Sequence, residues 1–574
     1  MDYKQRYEQW LRDTFIDEET KTELRLLQGD ENEIQDRFYR DLEFGTAGLR
    51  GKLGAGTNRM NKYIIARATH AFAKVILSFG ENYAKRGVAI AHDCRIKSDE
   101  FAEIAALVLA GNGVKAYLYE NLRSTPQLSF TVRHLNCAGG LNITASHNPK
   151  EYNGYKVYWE EGSQIKNDIA DKILHEIDRI EDFGSIPLMK REEALEKGLL
   201  NYIGEPIDTI YLDKVKELSL RDKEVDKDIC IVYTPLNGAG NIPVRRVLSE
   251  RGFKNVHVVS EQEQPDGRFP TIEYPNPEDI AAFEYSLTLA EKVNADLLIA
   301  TDPDSDRLAV MCKTSNSYQA LTGNQTGALL IEYLLSSMKE KGCLPKNALM
   351  IKTIVTAELG RKIAESYGVE MTEVLTGFKN IAAITNHYEK TKEKEVLFGY
   401  EESIGYTVGT FVRDKDAVSA AMMLAEAAGY YKKLGKTLLD VLDDLFQKHG
   451  HVWEDTKSFV SEGLEGQQKI SRIMTEYRKN YPKEVAGMKL KEYIDYSLSE
   501  RTLISTGEVS SVPVEKTNAI KFIFEDGSWY ALRPSGTEPK LKIYFSAEGS
   551  SVEDAKTKLG RMDQTVLEIF HSIN

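Results

Sequence analysis

Three aspartates alternate within one short segment of this 574-residue chain, Asp302–Arg307, which reads Asp-Pro-Asp-Ser-Asp-Arg. Mainly apolar runs at 296–300 and 308–311 flank it, so we expect a loop between two strands. Because alternate side chains of an extended backbone point the same way, the carboxylates should converge. They repel one another unless a cation neutralises them, and hard oxygen ligands select magnesium or calcium over softer metals. The sequence therefore predicts a metal site formed by Asp302, Asp304 and Asp306.

The identity of the residues that follow excludes one kind of calcium loop. An EF-hand loop needs glycine at its sixth position and glutamate at its twelfth. Those positions here hold Arg307 and Lys313. The remaining alternative to a metal site is a solvated acidic turn.

A single serine stands among small and turn-forming residues in the segment Thr144–Pro149, Thr-Ala-Ser-His-Asn-Pro. The small, apolar run at 137–143 can form a strand that delivers Ser146 to the edge of a sheet. Asn148 and Pro149 then end regular structure. Ser146 is therefore a candidate nucleophile, and an ordinary surface turn is the alternative interpretation.

Two later segments carry groups suited to a sugar and to a phosphate. In the segment 397–406, Glu401 and Ser403 lie among glycines and can bind hydroxyl groups, although a charged turn would look similar. In the segment 533–540, an arginine, two hydroxyls and a glycine could all donate to one phosphate. The alternative for this last segment is a proline-punctuated hairpin turn between two strands.

These four segments, in this order and at these spacings, resemble the α-D-phosphohexomutase superfamily over essentially the whole chain. Further matches to that family lie at 44–51, 124–126, 152–156 and 376–379. Chain length and the form Tyr-Glu-Glu-Ser-Ile-Gly-Tyr at 400–406 are similar to the bacterial phosphoglucomutase branch, which is related to eukaryotic phosphopentomutases.

The resemblance implies an α/β protein with four domains around a central cleft. Three similar α/β domains would be followed by a smaller C-terminal α+β domain. We expect the phosphoserine loop in domain I, the metal loop in domain II, the sugar-binding loop in domain III and the phosphate-binding loop in domain IV. The expected limits of these domains are 1–200, 201–317, 318–450 and 451–574.

The resemblance also implies a reaction, the interconversion of glucose 1-phosphate and glucose 6-phosphate. Ser146 would carry the phosphoryl group, and glucose 1,6-bisphosphate would be the intermediate and activator. Mg²⁺ would be bound by Asp302, Asp304 and Asp306, with a fourth ligand from the phosphorylated Ser146.

Roles for the remaining site residues follow from the same resemblance. Arg50 and Arg307 would share the charge of the transferring phosphoryl group. The candidates for proton transfer are His147, Lys156 and Lys415. Residues expected to bind the substrate elsewhere are Gly377, Lys379, Glu401, Ser403, Arg533, Ser535, Gly536 and Thr537.

The sugar specificity stays open between several substrates. Ile404 and Tyr406 flank Gly405 where the phosphomannomutase pattern has Ser-Gly-His, which makes mannose less favoured than glucose. A phosphopentomutase would need the same serine, metal and phosphate groups, and a hexose bisphosphate synthase would differ in its phosphoryl donor.

Two alternatives lie outside the class. One is a noncatalytic metal-binding interaction protein. The other is a serine hydrolase, but Ser146 lacks the Gly-x-Ser-x-Gly pattern and the adjacent His147 would need a strained geometry to act as its base.

Composition agrees with a large enzyme acting on small molecules. The chain is 42% hydrophobic and 28% charged, with a formal net charge of -14 that gives no reason to expect nucleic acid as a partner. No signal-peptide core or long apolar span is visible, so we expect a cytoplasmic protein without a membrane partner. The five scattered cysteines predict reduced thiols. Oligomeric state is not predicted.

Alternation of strand-like runs with amphipathic segments favours an α/β architecture. One example is the expected strand at 87–93, followed by a helix that Ser98 should cap and Gly111 should end.

Overall fold

The computed structural model describes residues 2–45, 48–180, 182–461, 463–535 and 540–573. The chain forms two compact units. The first unit comprises Met1–Thr326 and Ile381–Thr437, and the second comprises Gly327–Asn380 and Leu438–Asn574. Within the described ranges, no helix is both long and apolar enough to cross a membrane.

Three short helices open the chain: α1 (Tyr3–Arg12), α2 (Glu18–Leu26) and α3 (Glu31–Phe38). Each begins after an aspartate whose side chain accepts a hydrogen bond from a backbone N–H of the first turn. Trp10 and Phe38 pack edge to face with ring centroids 5.7 Å apart in a small aromatic core.

The next region forms a six-stranded sheet covered by helices. Its elements are β1 (Leu49–Lys52), α4 (Lys62–Ser78), α5 (Glu81–Ala84), β2 (Val88–His92), α6 (Ser98–Gly111), β3 (Ala116–Tyr119), α7 (Thr125–His134), β4 (Gly139–Ile143), β5 (Tyr152–Trp159), α8 (Asn167–Asp178), α9 (Arg191–Glu196) and β6 (Leu200–Ile203). The strand order is β1-β5-β4-β2-β3-β6, with β2, β3, β4 and β6 parallel. Register pairs His92 with Ile143, so the turns that follow β2 and β4 leave the same edge.

A second sheet follows the same pattern. Its elements are α10 (Glu205–Glu217), β7 (Ile231–Thr234), α11 (Asn241–Glu250), β8 (Val256–Val258), α12 (Ser260–Glu263), α13 (Glu284–Val293), β9 (Leu297–Thr301), β10 (Leu308–Lys313) and β11 (Tyr318–Ala320). The order is β11-β10-β9-β7-β8. Thr301 pairs with Leu308 across the β9–β10 hairpin, so the aspartate segment is the loop between two strands, as predicted.

Residues 323–449 contribute elements to both units. Its elements are α14 (Gly323–Glu340), β12 (Ala348–Thr353), α15 (Leu359–Ser366), β13 (Glu370–Val374), α16 (Phe378–Thr391), β14 (Glu395–Glu401), β15 (Gly405–Val408), α17 (Ala417–Lys433) and α18 (Leu438–His449). In the second unit β12 and β13 are parallel, and in the first unit β14 and β15 form a hairpin that pairs Glu401 with Gly405.

An antiparallel sheet with two packed helices completes the second unit. Its elements are β16 (His451–Val460), α19 (Gly463–Lys479), β17 (Glu484–Val485), β18 (Met488–Asp495), β19 (Glu500–Leu503), β20 (Val509–Ser511), β21 (Ile520–Phe524), β22 (Trp529–Pro534), β23 (Lys540–Gly549) and α20 (Val552–Ser572). The order is β16-β23-β22-β21-β18-β19-β20, and β17 pairs with β18. Short 3₁₀ turns lie at Phe183–Ser185, Asp222–Glu224 and Ile280–Phe283.

The predicted cap of α6 is wrong, although the helix itself spans Ser98–Gly111. Lys97, in the left-handed conformation with φ 64°, occupies the cap position and makes no side-chain cap bond. The Ser98 hydroxyl instead donates to Asp93 Oδ1 at 2.8 Å. A nearby buried carboxylate has therefore taken the hydroxyl that the local pattern assigned to the helix end.

Candidate active site

Ser146 lies in the turn after β4, where its hydroxyl meets the metal loop. Its φ of 52° is unusual for a non-glycine residue, and its N–H donates to Thr144 Oγ1 at 2.9 Å. Oγ donates to Asp302 Oδ2 at 2.7 Å. The predicted nucleophile and the predicted metal ligands thus belong to one buried site.

Two side chains from the turn after β2 hold the serine loop. Asp93 accepts a bond of 2.6 Å from Thr144 Oγ1. Arg95 donates to the backbone carbonyls of Ser146 and Asn148. Neither Asp93 nor Arg95 was among the predicted site residues, since a charged pair after a strand is too common to indicate a role.

The three aspartates converge as their spacing predicts. All are buried, and one carboxylate oxygen from each lies within 4.8 Å of the other two. Asp302 Oδ1 also accepts the backbone N–H groups of Asp306 and Arg307 at 3.1 and 2.9 Å. These backbone bonds fix the curvature of the loop and the direction of its first carboxylate.

The donor set of this cluster fits a divalent cation. Among the described residues, Asp304 Oδ1 and Asp306 Oδ1 are buried without a hydrogen-bond partner. Burial, followed by the charges of Asp304 and Asp306, raises the pKa of Asp302 well above its usual value. A cation bound by these oxygens would satisfy both orphan atoms and offset the repulsion.

Thr125 is a site residue without a predicted role, although its segment matches the family. At the start of α7, its hydroxyl donates to Asp304 Oδ2 at 2.7 Å and its N–H donates to the Asp304 carbonyl at 2.8 Å. Asn142 Nδ2 donates to the Thr125 hydroxyl at 2.7 Å. This chain of bonds orients Asp304 from the serine-bearing sheet.

Two buried lysines neutralise the acidic loop. Lys156 Nζ lies 2.6 Å from Asp304 and 3.4 Å from Asp306, and Lys415 Nζ lies 3.3 Å from both Asp306 and Asp414. Burial opposes the charge of Lys156, but Asp304 and Asp306 outweigh it and raise its pKa. Burial likewise opposes the charge of Lys415, and Asp306 with Asp414 raises its pKa. Both ammonium groups are therefore charged at neutral pH.

His147 lies beside the serine hydroxyl in its neutral form. Its Nδ1 is 3.1 Å from Ser146 Oγ. Burial, then the positive charges of Arg307 and Arg50, hold the pKa of His147 well below its ordinary value. Arg50 projects from β1 and donates to Asn148 Oδ1 at 3.0 Å, so it borders the same loop.

The sugar-loop candidates lie next to the metal loop. Arg307 and Gly405 form an isolated β-bridge, and a Cβ at Gly405 would come within 2.2 Å of Lys415 Cδ. A side chain there would displace Lys415, and glycine allows the β14–β15 turn to lie against it. Of the two candidates, Glu401 is the last residue of β14 and Ser403 lies in the turn that follows it.

The other predicted substrate-binding residues lie in the second unit. Arg533, near the end of β22, donates to the Thr376 hydroxyl, which precedes Gly377. Lys379 lies half-buried in the first turn of α16, and Ser535 follows β22. Residues that fall outside the described ranges are Gly536, Thr537 and, in the matched N-terminal segment, Thr46 and Ala47.

Sequence comparison assigns this arrangement to a family. Four models of phosphoglucomutase/phosphomannomutase match the chain, those of α/β/α domains I, II and III at 41–183, 209–315 and 322–449, and that of the C-terminal domain at 480–560. The chain belongs to the α-D-phosphohexomutase superfamily. The predicted fold class, three α/β domains followed by a different C-terminal domain, is thereby confirmed.

Individual superfamily members are similar over almost their whole length. A phosphoglucomutase of Staphylococcus aureus is 38% identical over 92% of this chain and 94% of its own. One of Staphylococcus epidermidis is 38% identical over 90% and 92%. The crystal structure of parafusin, a phosphoglucomutase of Paramecium, matches with a TM-score of 0.70 at 18% identity, covering 93% of this chain and 95% of that one. The last comparison concerns the fold alone.

Proposed function

We propose that this chain interconverts glucose 1-phosphate and glucose 6-phosphate through a phosphorylated Ser146 and glucose 1,6-bisphosphate. The observation that carries the proposal is the 2.7 Å bond between Ser146 Oγ and Asp302 inside a buried cluster of three carboxylates. The 38% identity to bacterial phosphoglucomutases supports glucose as the sugar.

Hard carboxylate oxygens favour magnesium or calcium over softer metals, and Mg²⁺ is the cation proposed for the cluster because it is the ion that serves phosphoryl transfer. The ion would be bound by Asp302, Asp304 and Asp306, and the phosphate on Ser146 would supply a fourth ligand. When bound, the ion withdraws negative charge from the transferring phosphoryl group.

The covalent chemistry takes place at Ser146. In the first half-reaction, the bond between phosphorus and Ser146 Oγ breaks, while a bond forms between phosphorus and the free hydroxyl oxygen of the sugar phosphate. In the second, Ser146 Oγ attacks the other phosphate of the bisphosphate, the bond between that phosphorus and its sugar oxygen breaks, and the sugar oxygen leaves as a hydroxyl. The net result is an isomerised sugar phosphate and an unchanged enzyme.

Each half-reaction moves one proton between a sugar hydroxyl and a serine oxygen. Lys156 and Lys415, as charged ammonium groups, stabilise the transferring phosphoryl group and can return a proton. His147, neutral and 3.1 Å from Ser146 Oγ, can exchange a proton with that oxygen.

Different kinds of side chain bind the phosphates and the hydroxyl groups of the substrate. Arg50 and Arg307 bind the transferring phosphate, and Glu401 with Ser403 accepts bonds from sugar hydroxyls. Gly377 and Lys379 also bind the substrate, and the distal phosphate is bound by Arg533, Ser535, Gly536 and Thr537.

The domain limits at 200, 317 and 450 and the cytoplasmic location remain part of this proposal. The spans matched by the four family models all fall inside those limits, which supports them.

A direct assay tests the function. Purified protein is incubated with Mg²⁺ and a trace of glucose 1,6-bisphosphate, and isomerisation of glucose, mannose, ribose and deoxyribose phosphates is followed in parallel. We expect the highest kcat/KM for glucose. A preference for a pentose phosphate would change the assigned substrate, and inactivity on all four sugar phosphates would reject the mutase assignment.

A further inference from the structure

Arg95 holds the serine loop through both terminal nitrogens of its guanidinium group. Its side chain is fully buried, and one terminal nitrogen, Nη1, donates to the carbonyls of Pro149 and Tyr152 at 2.8 and 3.0 Å. The other terminal nitrogen, Nη2, donates to the carbonyls of Ser146 and Asn148. One rigid, planar cation thus fixes both ends of the loop that presents Ser146.

The face of this guanidinium is covered by a residue from the metal-bearing domain. The ring of Phe269 lies 5.1 Å from the Arg95 guanidinium carbon, in the range of a cation–π contact. Phe269 is 3% exposed, so the contact is shielded from solvent. Next to it, a Cβ at Gly267 would come within 2.5 Å of the Ile96 nitrogen, which shows how closely the two chain segments approach.

The segment that carries Phe269 is tied to the end of β7. Thr234, the last residue of β7, donates through Oγ1 to Gln262 Oε1 at 2.6 Å. Gln262 Nε2 donates to Thr271 Oγ1 at 3.0 Å, two residues beyond Phe269. β7 lies beside β9, whose end opens into the aspartate loop. Phe269 and the metal ligands are therefore anchored to the same sheet.

Phe269 itself has a strained backbone. Its φ of 44° lies in the left-handed region, which is rare for a bulky residue and costs about 1–3 kcal/mol. Surrounding contacts must hold such a conformation in place.

We propose that Phe269 is a positioning residue that, through Arg95, sets Ser146 Oγ against the metal cluster. The serine loop and the aspartate loop come from different sheets, and the Ser146–Asp302 bond joins them through atoms that change during phosphoryl transfer. The Phe269–Arg95 contact joins the serine loop to the segment anchored at β7, beside the strand that leads into the aspartate loop, through groups that do not react. Its kinetic consequences rest on the mutase function proposed above.

The kinetic test replaces the ring while retaining most of its volume. Phe269→Leu removes the π face, and we expect kcat for glucose 1-phosphate to fall about tenfold with KM within about twofold, because reacting atoms are misplaced while binding groups stay. Phe269→Tyr retains the ring and should keep kcat within about threefold of wild type. Equal losses in the Leu and Tyr variants would contradict a role for cation stacking.

The chain offers a matched control in the same domain. Phe253 is 2% exposed and its ring lies 4.3 Å from Lys227 Nζ, but it precedes β8 at the opposite end of the sheet. Phe253→Leu removes an equivalent ring and should leave kcat unchanged. A loss of kcat equal to that of Phe269→Leu would show a general packing effect and overturn the proposal.

A second readout needs no substrate and so separates this proposal from the mutase assignment. Amide hydrogen exchange of the peptide 143–153 should be at least about threefold faster in Phe269→Leu than in wild type or Phe253→Leu. Unchanged exchange would overturn the proposal even if wild type is an active mutase. Faster exchange with an inactive wild type would reject the function and retain the structural coupling.

Discussion

Ser146 Oγ and Asp302 Oδ2 are 2.7 Å apart although their residues are 156 positions apart in the chain. The first follows β4 of one sheet and the second follows β9 of another. Neither loop contains both the nucleophile and the metal ligands. The site therefore depends on how the two sheets pack, and substitutions that disturb either loop should affect chemistry more than folding.

Asp304 should be essential for metal binding. Asp304→Asn removes one charge from the cluster, and we expect the Kd for Mg²⁺ measured by calorimetry to rise at least about tenfold and kcat to fall about a hundredfold. Asp99→Asn, a change at an exposed carboxylate in the first turn of α6, is the control and should alter neither. Unchanged Mg²⁺ dependence in Asp304→Asn would refute the assigned role.

Thr125 should matter through Asp304. Thr125→Val removes the 2.7 Å bond to Asp304, and we expect Mg²⁺ affinity and kcat to fall about three- to tenfold. Thr131 on the same helix is equally buried and bonds to Tyr119 at 2.6 Å. Each of the two substitutions should cost about 1 kcal/mol of stability, but Thr131→Val should leave the affinity for Mg²⁺ unchanged. Equal effects of the two variants on Mg²⁺ affinity would contradict the role of Thr125.

Arg533 should act on substrate binding. Arg533→Ala should raise KM for glucose 1-phosphate at least about tenfold, because a charged donor to the distal phosphate is lost. Mg²⁺ affinity should stay at the wild-type value. Arg501→Ala, on β19 of the same sheet, controls for a general loss of positive charge. Unaltered kinetics across all phosphosugars would argue against Arg533 as a ligand.

Lys521 should make stability depend on pH. Burial lowers its pKa from 10.5 to about 8, against the opposing charge of Glu373. The folded state therefore binds fewer protons than the unfolded state between these values, so stability should rise as pH increases from 8 toward 10.5. Below pH 8 Lys521 is charged in the folded state as well, so the full free-energy cost of burying that charge remains.

The variant Lys521→Met isolates this contribution. Over one pH unit in that window, the free energy of unfolding of wild type should gain about 1 kcal/mol relative to the variant. Urea unfolding of both proteins at pH 8 and pH 9 measures the difference. A constant difference between the two proteins would show that Lys521 does not titrate as described.

Local sequence patterns predicted the parts of the site that lie within one segment. The alternation of the aspartates between two apolar runs predicted the loop with three converging carboxylates, and the small residues before Ser146 predicted the strand that presents it. The antiparallel strands that flank the segment 535–539 were likewise predicted from the sequence.

Contacts between segments far apart in sequence were not predictable in this way. Thr125 and Asp304 are 179 positions apart, and nothing around either residue indicates the other. Arg95 and Phe269 meet only because two sheets pack with their loops in contact. The capping prediction at Ser98 was wrong for a local reason, since Asp93, five residues earlier, competes for its hydroxyl.

The most direct test of the central claim follows phosphate onto Ser146. Wild type and Ser146→Ala are incubated with glucose 1,6-bisphosphate labelled with ³²P, and the label is located by peptide mapping alongside measurement of turnover. We predict label on the peptide containing Ser146 in wild type, with no label and at least about a thousandfold lower kcat in a folded Ser146→Ala protein. Label on another residue, or near-normal turnover of Ser146→Ala, would contradict the account.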